Sequence, residues 1–143
     1  MSSYIPLKRR LAIVAAANPK LIHVLPFRNQ SQMPVVYRLG DVFVLPSKSG
    51  ETWCLAVNEA LACGRPVLVS NRVGCAADVV DESCGRVFPW NDLLALEQAI
   101  NEMSKGQDKL LEMRRAAEKQ AWLFDISRTE AALMVAAREV LGQ

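Results

Sequence analysis

The sequence has little of what metal sites, disulfide frameworks and membrane spans require. It contains one histidine, His23, and four cysteines with no Cys-x-x-Cys pair, so a zinc site is disfavoured. We expect the cysteines to be buried, reduced thiols, because nothing in the sequence indicates export. The longest apolar run is Leu11 to Ala17, seven residues, whereas crossing a bilayer takes roughly 20.

The charge balance and the first residues exclude two further classes. The net charge is only +2, so nucleic acid is not an expected partner. No apolar segment follows a basic start within residues 1–10, so no secretory signal is predicted. We therefore expect a cytoplasmic protein, lying at the membrane periphery when it is part of a full enzyme. With 143 residues, 51% of them hydrophobic, the chain fits one domain with a core.

Short apolar runs bounded by glycine and proline predict alternating helices and strands in the first 90 residues. The predicted helices cover 7–17, 31–38, 55–63 and 74–80, and the predicted strands cover 21–25, 41–45, 66–70 and 86–88. After about residue 91 the pattern is helical, with predicted helices over 92–104, 108–122 and 127–141.

Strands that are apolar throughout, joined by helices through short loops, are typical of a parallel sheet covered on both faces. We therefore predict a three-layer, Rossmann-like α/β fold for a single domain over 1–143, ending in a helical C-terminal tail. The strand order begins abruptly. We therefore expect this sheet to be truncated at its N-terminal strands.

The loop after the strand predicted over 41–45 is the candidate ligand site, because ligands bind where parallel strands end and helices begin. Residues 46–54 are mostly polar, small or proline and lead directly into a helix, whose first amides can bind an anion. Glu51 lies just before that helix and Glu59 lies in its second turn. Both carboxylates can accept hydrogen bonds from hydroxyl groups. Lys48 and Ser49 are minor candidates for contact with a phosphate, although a single lysine in a polar loop is more often solvated. We interpret Trp90 as a packing residue.

Three stretches carry a family pattern: Asp41-Val-Phe-Val-Leu-Pro-Ser, the segment from Glu51 to Val67, and Asn71-Arg-Val-Gly. The second contains a Glu-x7-Glu spacing and the run Glu-Ala-x-Ala-x-Gly-x-Pro-Val. Together they resemble the nucleotide-sugar-binding, C-terminal part of the group 1 (family 4) retaining glycosyltransferases of GT-B fold. Weaker agreement covers nearly the whole chain.

The resemblance implies an enzyme that transfers a sugar from a nucleotide diphosphate to an acceptor with retention, without a metal or other cofactor. Glu51 is implied as the catalytic residue, which holds hydroxyls of the donor sugar near the reacting carbon. Glu59 is implied to bind the two ribose hydroxyls. The other implied substrate-binding residues are Trp53, Cys54, Leu55 and Ala56 through backbone amides, and Phe27 and Arg28 along the base.

The sequence departs from the family pattern in two ways. Members usually have glycine where Cys54 stands, because the donor lies against the backbone there. The basic residues that grip the diphosphate, and the N-terminal acceptor domain, come from segments that this sequence does not contain. We therefore expect a donor-binding domain that is inactive alone and that works with the missing domain or with another chain.

Two other classes of function remain open at this point. The first is a non-catalytic interaction or regulatory domain that docks on another polypeptide or forms a homo-oligomer, because an open sheet edge invites pairing. The second is a general α/β nucleotide-binding protein that takes no sugar. The sequence does not identify the base, the sugar or the acceptor.

Overall fold

The computed structural model describes residues 7–48 and 52–142, which form two compact units that divide between Gln30 and Ser31. The first unit contains helix α1 (Leu7–Ala17), as predicted. Both the backbone N–H and the side-chain amide of Asn18 donate to the Val14 carbonyl, at 3.1 and 2.9 Å. This helix end lies directly before Pro19, which disfavours helical backbone at the preceding residue.

The strand predicted over 21–25 is wrong. The backbone N–H groups of Leu21 and Ile22 both donate to the Asn18 carbonyl, at 3.0 and 2.9 Å, so the run begins in a turn that follows α1. Leu21 is 81% exposed, and His23 is exposed as well. An apolar run becomes a strand where a neighbouring strand takes up its backbone hydrogen bonds, and here local bonds to Asn18 take up the first two.

The second unit holds the sheet. Its strands are β1 (Phe43–Leu45), β2 (Val67–Ser70) and β3 (Gly85–Phe88). Its α-helices are α2 (Met33–Leu39), α3 (Leu55–Ala62), α4 (Ala76–Val79), α5 (Leu93–Met103), α6 (Gln107–Leu123) and α7 (Ile126–Leu141). Apart from residues 21–25, every predicted helix and strand is found within two residues of its predicted bounds.

The sheet is parallel, with the order β1-β2-β3 among the residues that the structure describes. Phe43 pairs with Val67 and Leu45 with Val69, and on the other side Val67 pairs with Gly85 and Ser70 with Phe88. All three strands therefore end at the same edge of the sheet. This edge carries the loops into α3, α4 and α5.

Two cores lie on opposite faces of the sheet. Val67 and Val69 pack into the first core with Val57 and Leu61 of α3. Leu68, between them, packs into the second core, which also contains Phe88, Met103 and Met113. Because successive residues of a strand point to opposite faces, the fully apolar β2 is buried on both sides. The three-layer, Rossmann-like α/β architecture is thereby confirmed.

The C-terminal helical tail is also confirmed, but it contributes little to these cores. No residue of α7 is buried. Over the described ranges 7–48 and 52–142, no helix is both long and apolar enough to cross a membrane. That 1–143 form a single domain stays a prediction.

Gly85 begins β3 at a point with no room for a larger residue. A Cβ there would lie 2.8 Å from Val67 Cγ2 and from Val80 Cγ1, and would also press on the Val67 carbonyl oxygen. We expect Gly85→Ala to lower the free energy of unfolding by about 2 kcal/mol, as measured by urea denaturation, because the backbone must shift to relieve the overlap.

Gly40→Ala is the matched control for this substitution. Gly40 has an ordinary φ of −102°, and its added Cβ would lie 3.7 Å from the Val42 carbonyl oxygen, a normal contact distance. We expect a change within about 0.5 kcal/mol. Equal stability losses in the two variants would contradict the packing described at the start of β3.

Candidate functional site

Helix α3 begins directly after the loop from β1, at an unusual backbone conformation. Cys54, its N-cap, has a φ of 68° and is the one non-glycine residue with positive φ among those described. The Cys54 carbonyl accepts from the Val57 N–H at 3.1 Å, while the neighbouring Trp53 carbonyl accepts from the Cys75 N–H at 3.1 Å. The second bond ties the start of α3 to the loop after β2.

The positive φ of Cys54 is a backbone conformation that favours glycine. Glycine adopts positive φ without strain, whereas a residue with a Cβ does so at a cost. Cys54 therefore introduces backbone strain at the N-cap of α3, where the loop ends and the helix begins. A side chain is therefore present where the backbone itself would suit glycine.

Glu59 is positioned by a tyrosine that sequence reasoning missed. The Tyr37 hydroxyl on α2 donates to Glu59 Oε2 at 2.8 Å, and Tyr37 itself is only 7% exposed. Its ring meets Phe43 of β1 edge-on, with ring centroids 5.4 Å apart. The carboxylate of Glu59, half-buried on α3, is thus oriented by a side chain that β1 and the first core hold in place.

No sequence signal identified Tyr37, because it lies 22 residues before Glu59 and belongs to no motif that we recognised. Burial raises the pKa of the Tyr37 phenol well above its ordinary value, and the hydrogen bond to the Glu59 carboxylate adds to this effect. Both causes favour the neutral phenol, which is the form that can donate to Glu59.

The loops at the carboxyl ends of all three strands are joined by hydrogen bonds. The fully buried Ser70 hydroxyl, at the end of β2, donates to the Ser47 carbonyl in the loop after β1 at 2.6 Å. Asn71 Oδ1 accepts from the Trp90 N–H, in the loop after β3, at 3.1 Å. The three loops therefore form one continuous surface.

Two cations lie against one aromatic ring on this surface. Lys48 Nζ is 5.8 Å from the centroid of the Trp90 ring, and Arg72 Cζ is 5.9 Å from it. The three residues come from three different loops: Lys48 follows β1, Arg72 follows β2 and Trp90 follows β3. The interpretation of Lys48 as a minor candidate, and of Trp90 as a packing residue, missed this cluster because its members are far apart in sequence.

The structure brings together five of the predicted site residues at the beginning of α3. Leu55 is 65% exposed, Trp53 packs at a tilted angle against Phe124 with centroids 6.0 Å apart, and Ala56 is half-buried beside Cys54. Glu59 follows on the same helix. Their roles toward a ligand stay predictions.

The remaining predicted site residues lie elsewhere. Glu51 is outside the described residues, as is Ser49. Phe27 and Arg28 belong to the first unit, where both are exposed and Phe27 is 93% accessible to solvent. Within the parts of the chain that are described, no group of three or more histidine, cysteine, aspartate or glutamate side chains is arranged to hold a metal ion.

The architecture is that of a Rossmann-like α/β protein, and the candidate site lies at the carboxyl edge of its parallel sheet. The sequence pattern of the family described as "Glycosyl transferases group 1" matches residues 8–120. The chain belongs to this family.

Similar curated proteins carry glycosyltransferase names. A D-inositol 3-phosphate glycosyltransferase of Saccharomonospora viridis is 27% identical over 95% of this chain and 36% of its own length. One of the same name from Mycobacteroides abscessus is 32% identical over 77% of this chain and 24% of its own. A lipopolysaccharide 1,2-N-acetylglucosaminetransferase of Salmonella typhimurium is 29% identical over 64% and 23%.

Solved structures share the fold. Sucrose-phosphate synthase from Thermosynechococcus elongatus superposes with a TM-score of 0.75 at 23% identity, over 94% of this chain and 34% of that one. The catalytic domain of starch synthase IV from Arabidopsis thaliana, bound to ADP and acarbose, superposes with a TM-score of 0.64 at 20% identity, over 86% and 28%. The chain spans about a third or less of the length of these curated and solved relatives.

The Tyr37–Glu59 contact predicts a specific alkaline behaviour. The pKa of Tyr37 is raised in the folded protein, so folding favours the protonated phenol. The contribution of Tyr37 to the unfolding free energy is therefore complete below the unfolded pKa of about 10, and it is lost as the pH rises from there through the folded pKa. We expect Tyr37→Phe to reduce the fall in unfolding free energy above pH 10, measured by urea denaturation from pH 8 to 11.5. Parallel curves for the two proteins would contradict the assignment.

The left-handed backbone at Cys54 predicts a stabilising substitution. We expect Cys54→Gly to be more stable than Cys54→Ala by about 1 kcal/mol in thermal or urea denaturation, because only glycine relieves the positive φ. The alanine variant is the control, since it removes the sulfur but keeps the Cβ. A glycine variant no more stable than the alanine variant would contradict this backbone assignment.

Proposed function

We propose that this chain is the donor-binding domain of a retaining glycosyltransferase and that it binds a nucleotide-diphosphate sugar at the beginning of α3. Membership of the family supports glycosyl transfer as the reaction. The observation that carries the binding proposal is the Glu59 carboxylate, fixed on α3 by the buried Tyr37 hydroxyl at 2.8 Å. A fixed carboxylate can accept hydrogen bonds from the two adjacent hydroxyls of a ribose, and it loses little conformational entropy when it does so.

The start of α3 supplies the next part of the proposed site. The backbone amides of Trp53, Cys54, Leu55 and Ala56 meet the phosphates and the sugar, where the positive end of the helix dipole favours an anion. The left-handed turn at Cys54 directs the chain away from β1 and into this helix. The Cys54 side chain occupies space beside the donor that a glycine would leave open.

Glu51 completes the proposal on the sugar side. It accepts hydrogen bonds from hydroxyls of the donor sugar near the reacting carbon. The bond from the reacting carbon of the sugar to the diphosphate breaks, the acceptor hydroxyl oxygen bonds to that carbon on the same face, and the hydroxyl proton passes to the departing diphosphate. The helix amides stabilise the departing diphosphate, and no metal takes part.

The chain alone is proposed to bind the donor but not to transfer the sugar. An acceptor must lie across the site from α3, and a second domain or another polypeptide has to supply its binding surface. The relatives that match this chain are about three or more times as long. Their length supports the proposal that sugar transfer needs a further domain or polypeptide besides this chain.

Glu59→Gln tests the proposal directly. The amide keeps a carbonyl oxygen that can accept from Tyr37, but it removes the negative charge and one acceptor. We expect affinity for the best of UDP-glucose, GDP-mannose and ADP-glucose to fall at least about tenfold, in line with the loss of a charged hydrogen bond. Isothermal titration calorimetry, or ligand-observed NMR for weak binding, measures this.

Glu97→Gln is the control for charge alone, because Glu97 is an exposed residue of α5, far along the chain from the proposed site. It should bind as the unaltered chain does. Binding of no nucleotide sugar by the unaltered chain, or equal affinities of Glu59→Gln and the unaltered chain, would overturn the proposal. Either result would favour the alternative of a non-catalytic domain that docks on another polypeptide.

A further inference from the structure

We propose that Lys48, Arg72 and Trp90 form a phosphoryl-binding site, created only when the three loops at the carboxyl edge of the sheet come together. This inference rests on the proposed donor site for the orientation of the ligand, but the site can be tested without a nucleotide. No motif contains the three residues, which are 24 and 18 positions apart along the chain.

The cluster is held in place by backbone contacts. The Trp90 N–H donates to Asn71 Oδ1 at 3.1 Å, which joins the Trp90 loop to the residue next to Arg72. The Arg72 N–H lies 3.3 Å from the Ser70 hydroxyl, and that hydroxyl donates to the Ser47 carbonyl, next to Lys48, at 2.6 Å. The buried Ser70 therefore fixes the backbone beneath both cations.

Within the described ranges 7–48 and 52–142, no carboxylate pairs with Lys48 or Arg72. Elsewhere in the second unit, Arg86 and Lys109 both pair with Glu102 at 3.1 Å, and Arg114 pairs with Asp41. Among the described residues, by contrast, neither Lys48 nor Arg72 has a carboxylate within ion-pair distance. Both lie over the same indole ring instead, where the two like charges repel each other.

A phosphoryl group is the ligand that suits this arrangement. It carries up to two negative charges at neutral pH and three acceptor oxygens, which match one ammonium and one guanidinium group. Arginine presents a planar set of donors and lysine a compact charge, and both are common ligands of phosphate. The Trp90 ring holds the cations near each other through cation–π contacts, so less ordering is needed when the anion binds.

The location of the cluster allows two sources for that phosphoryl group. The cluster lies in the loops after β1, β2 and β3, at the same carboxyl edge of the sheet from which the chain enters α3. The phosphoryl group is then the donor's diphosphate or a phosphate carried by the acceptor.

The experiment is an NMR titration of the 15N-labelled chain at constant ionic strength, with inorganic phosphate first. The indole N–H signal of Trp90, assigned with Trp90→Phe, is expected to shift on phosphate addition. Lys48→Gln/Arg72→Gln should weaken phosphate binding at least tenfold. Lys119→Gln/Arg115→Gln, which removes the same charge from exposed positions of α6, should bind phosphate as the unaltered chain does.

Two further ligands distinguish the sources. If the site takes the donor's diphosphate, the Lys48/Arg72 double variant loses affinity for the nucleotide sugar, and glucose 6-phosphate competes only weakly. If it takes an acceptor phosphate, glucose 6-phosphate shifts the Trp90 signal while the nucleotide-sugar affinity of the double variant is unchanged.

Phosphate binding that is undetectable in the unaltered chain, or equal in the Lys48/Arg72 and Lys119/Arg115 double variants, overturns the inference. This failure is separable from failure of the donor site. Glu59→Gln should leave the binding of inorganic phosphate unchanged, since only the nucleotide sugar is proposed to reach Glu59.

Discussion

The structure depends on the pairing of β2 with a parallel strand on each side. All four residues of β2 are buried, with Val67 and Val69 in one core and Leu68 in the other. A strand buried on both faces needs partners for every backbone group, and β1 and β3 supply them. The same pairing aligns the ends of three strands, so it also determines where the loops of the candidate site meet. Gly85 lies so close to Val67 that the pairing of β2 with β3 leaves no room for a larger side chain at position 85.

The candidate site is a consequence of that alignment. Loops that are distant in sequence meet at one edge, where Ser70 and Asn71 join them through hydrogen bonds to Ser47 and Trp90. Two chemical features result, one on α3 and one across the three loops. One is a carboxylate held by a neutral tyrosine, which suits hydroxyl groups, and the other is a pair of cations on one indole, which suits a phosphoryl group. A nucleotide-diphosphate sugar presents both kinds of group.

Two apolar runs of similar composition show what can be predicted from the sequence and what cannot. The run from Val67 to Ser70 was predicted as a strand and is one, because strands on both sides take up its hydrogen bonds. The run 21–25 was predicted as a strand on the same grounds, yet Leu21 and Ile22 bond back to Asn18 in a turn. Hydrophobicity indicates that a segment can be buried, but pairing decides whether it becomes a strand.

The amino-acid sequence by itself determined the alternation of helices and strands, the parallel sheet and the family, because periodicity, glycine and proline positions and the Glu-x7-Glu spacing are local properties. It also pointed to α3, since Glu59 lies in that motif. Only the tertiary structure decided that Tyr37 orients Glu59, that Cys54 has a left-handed backbone, and that Lys48 and Arg72 share Trp90. Those contacts join segments from different loops and helices, and a chain acquires them only when its strands pair.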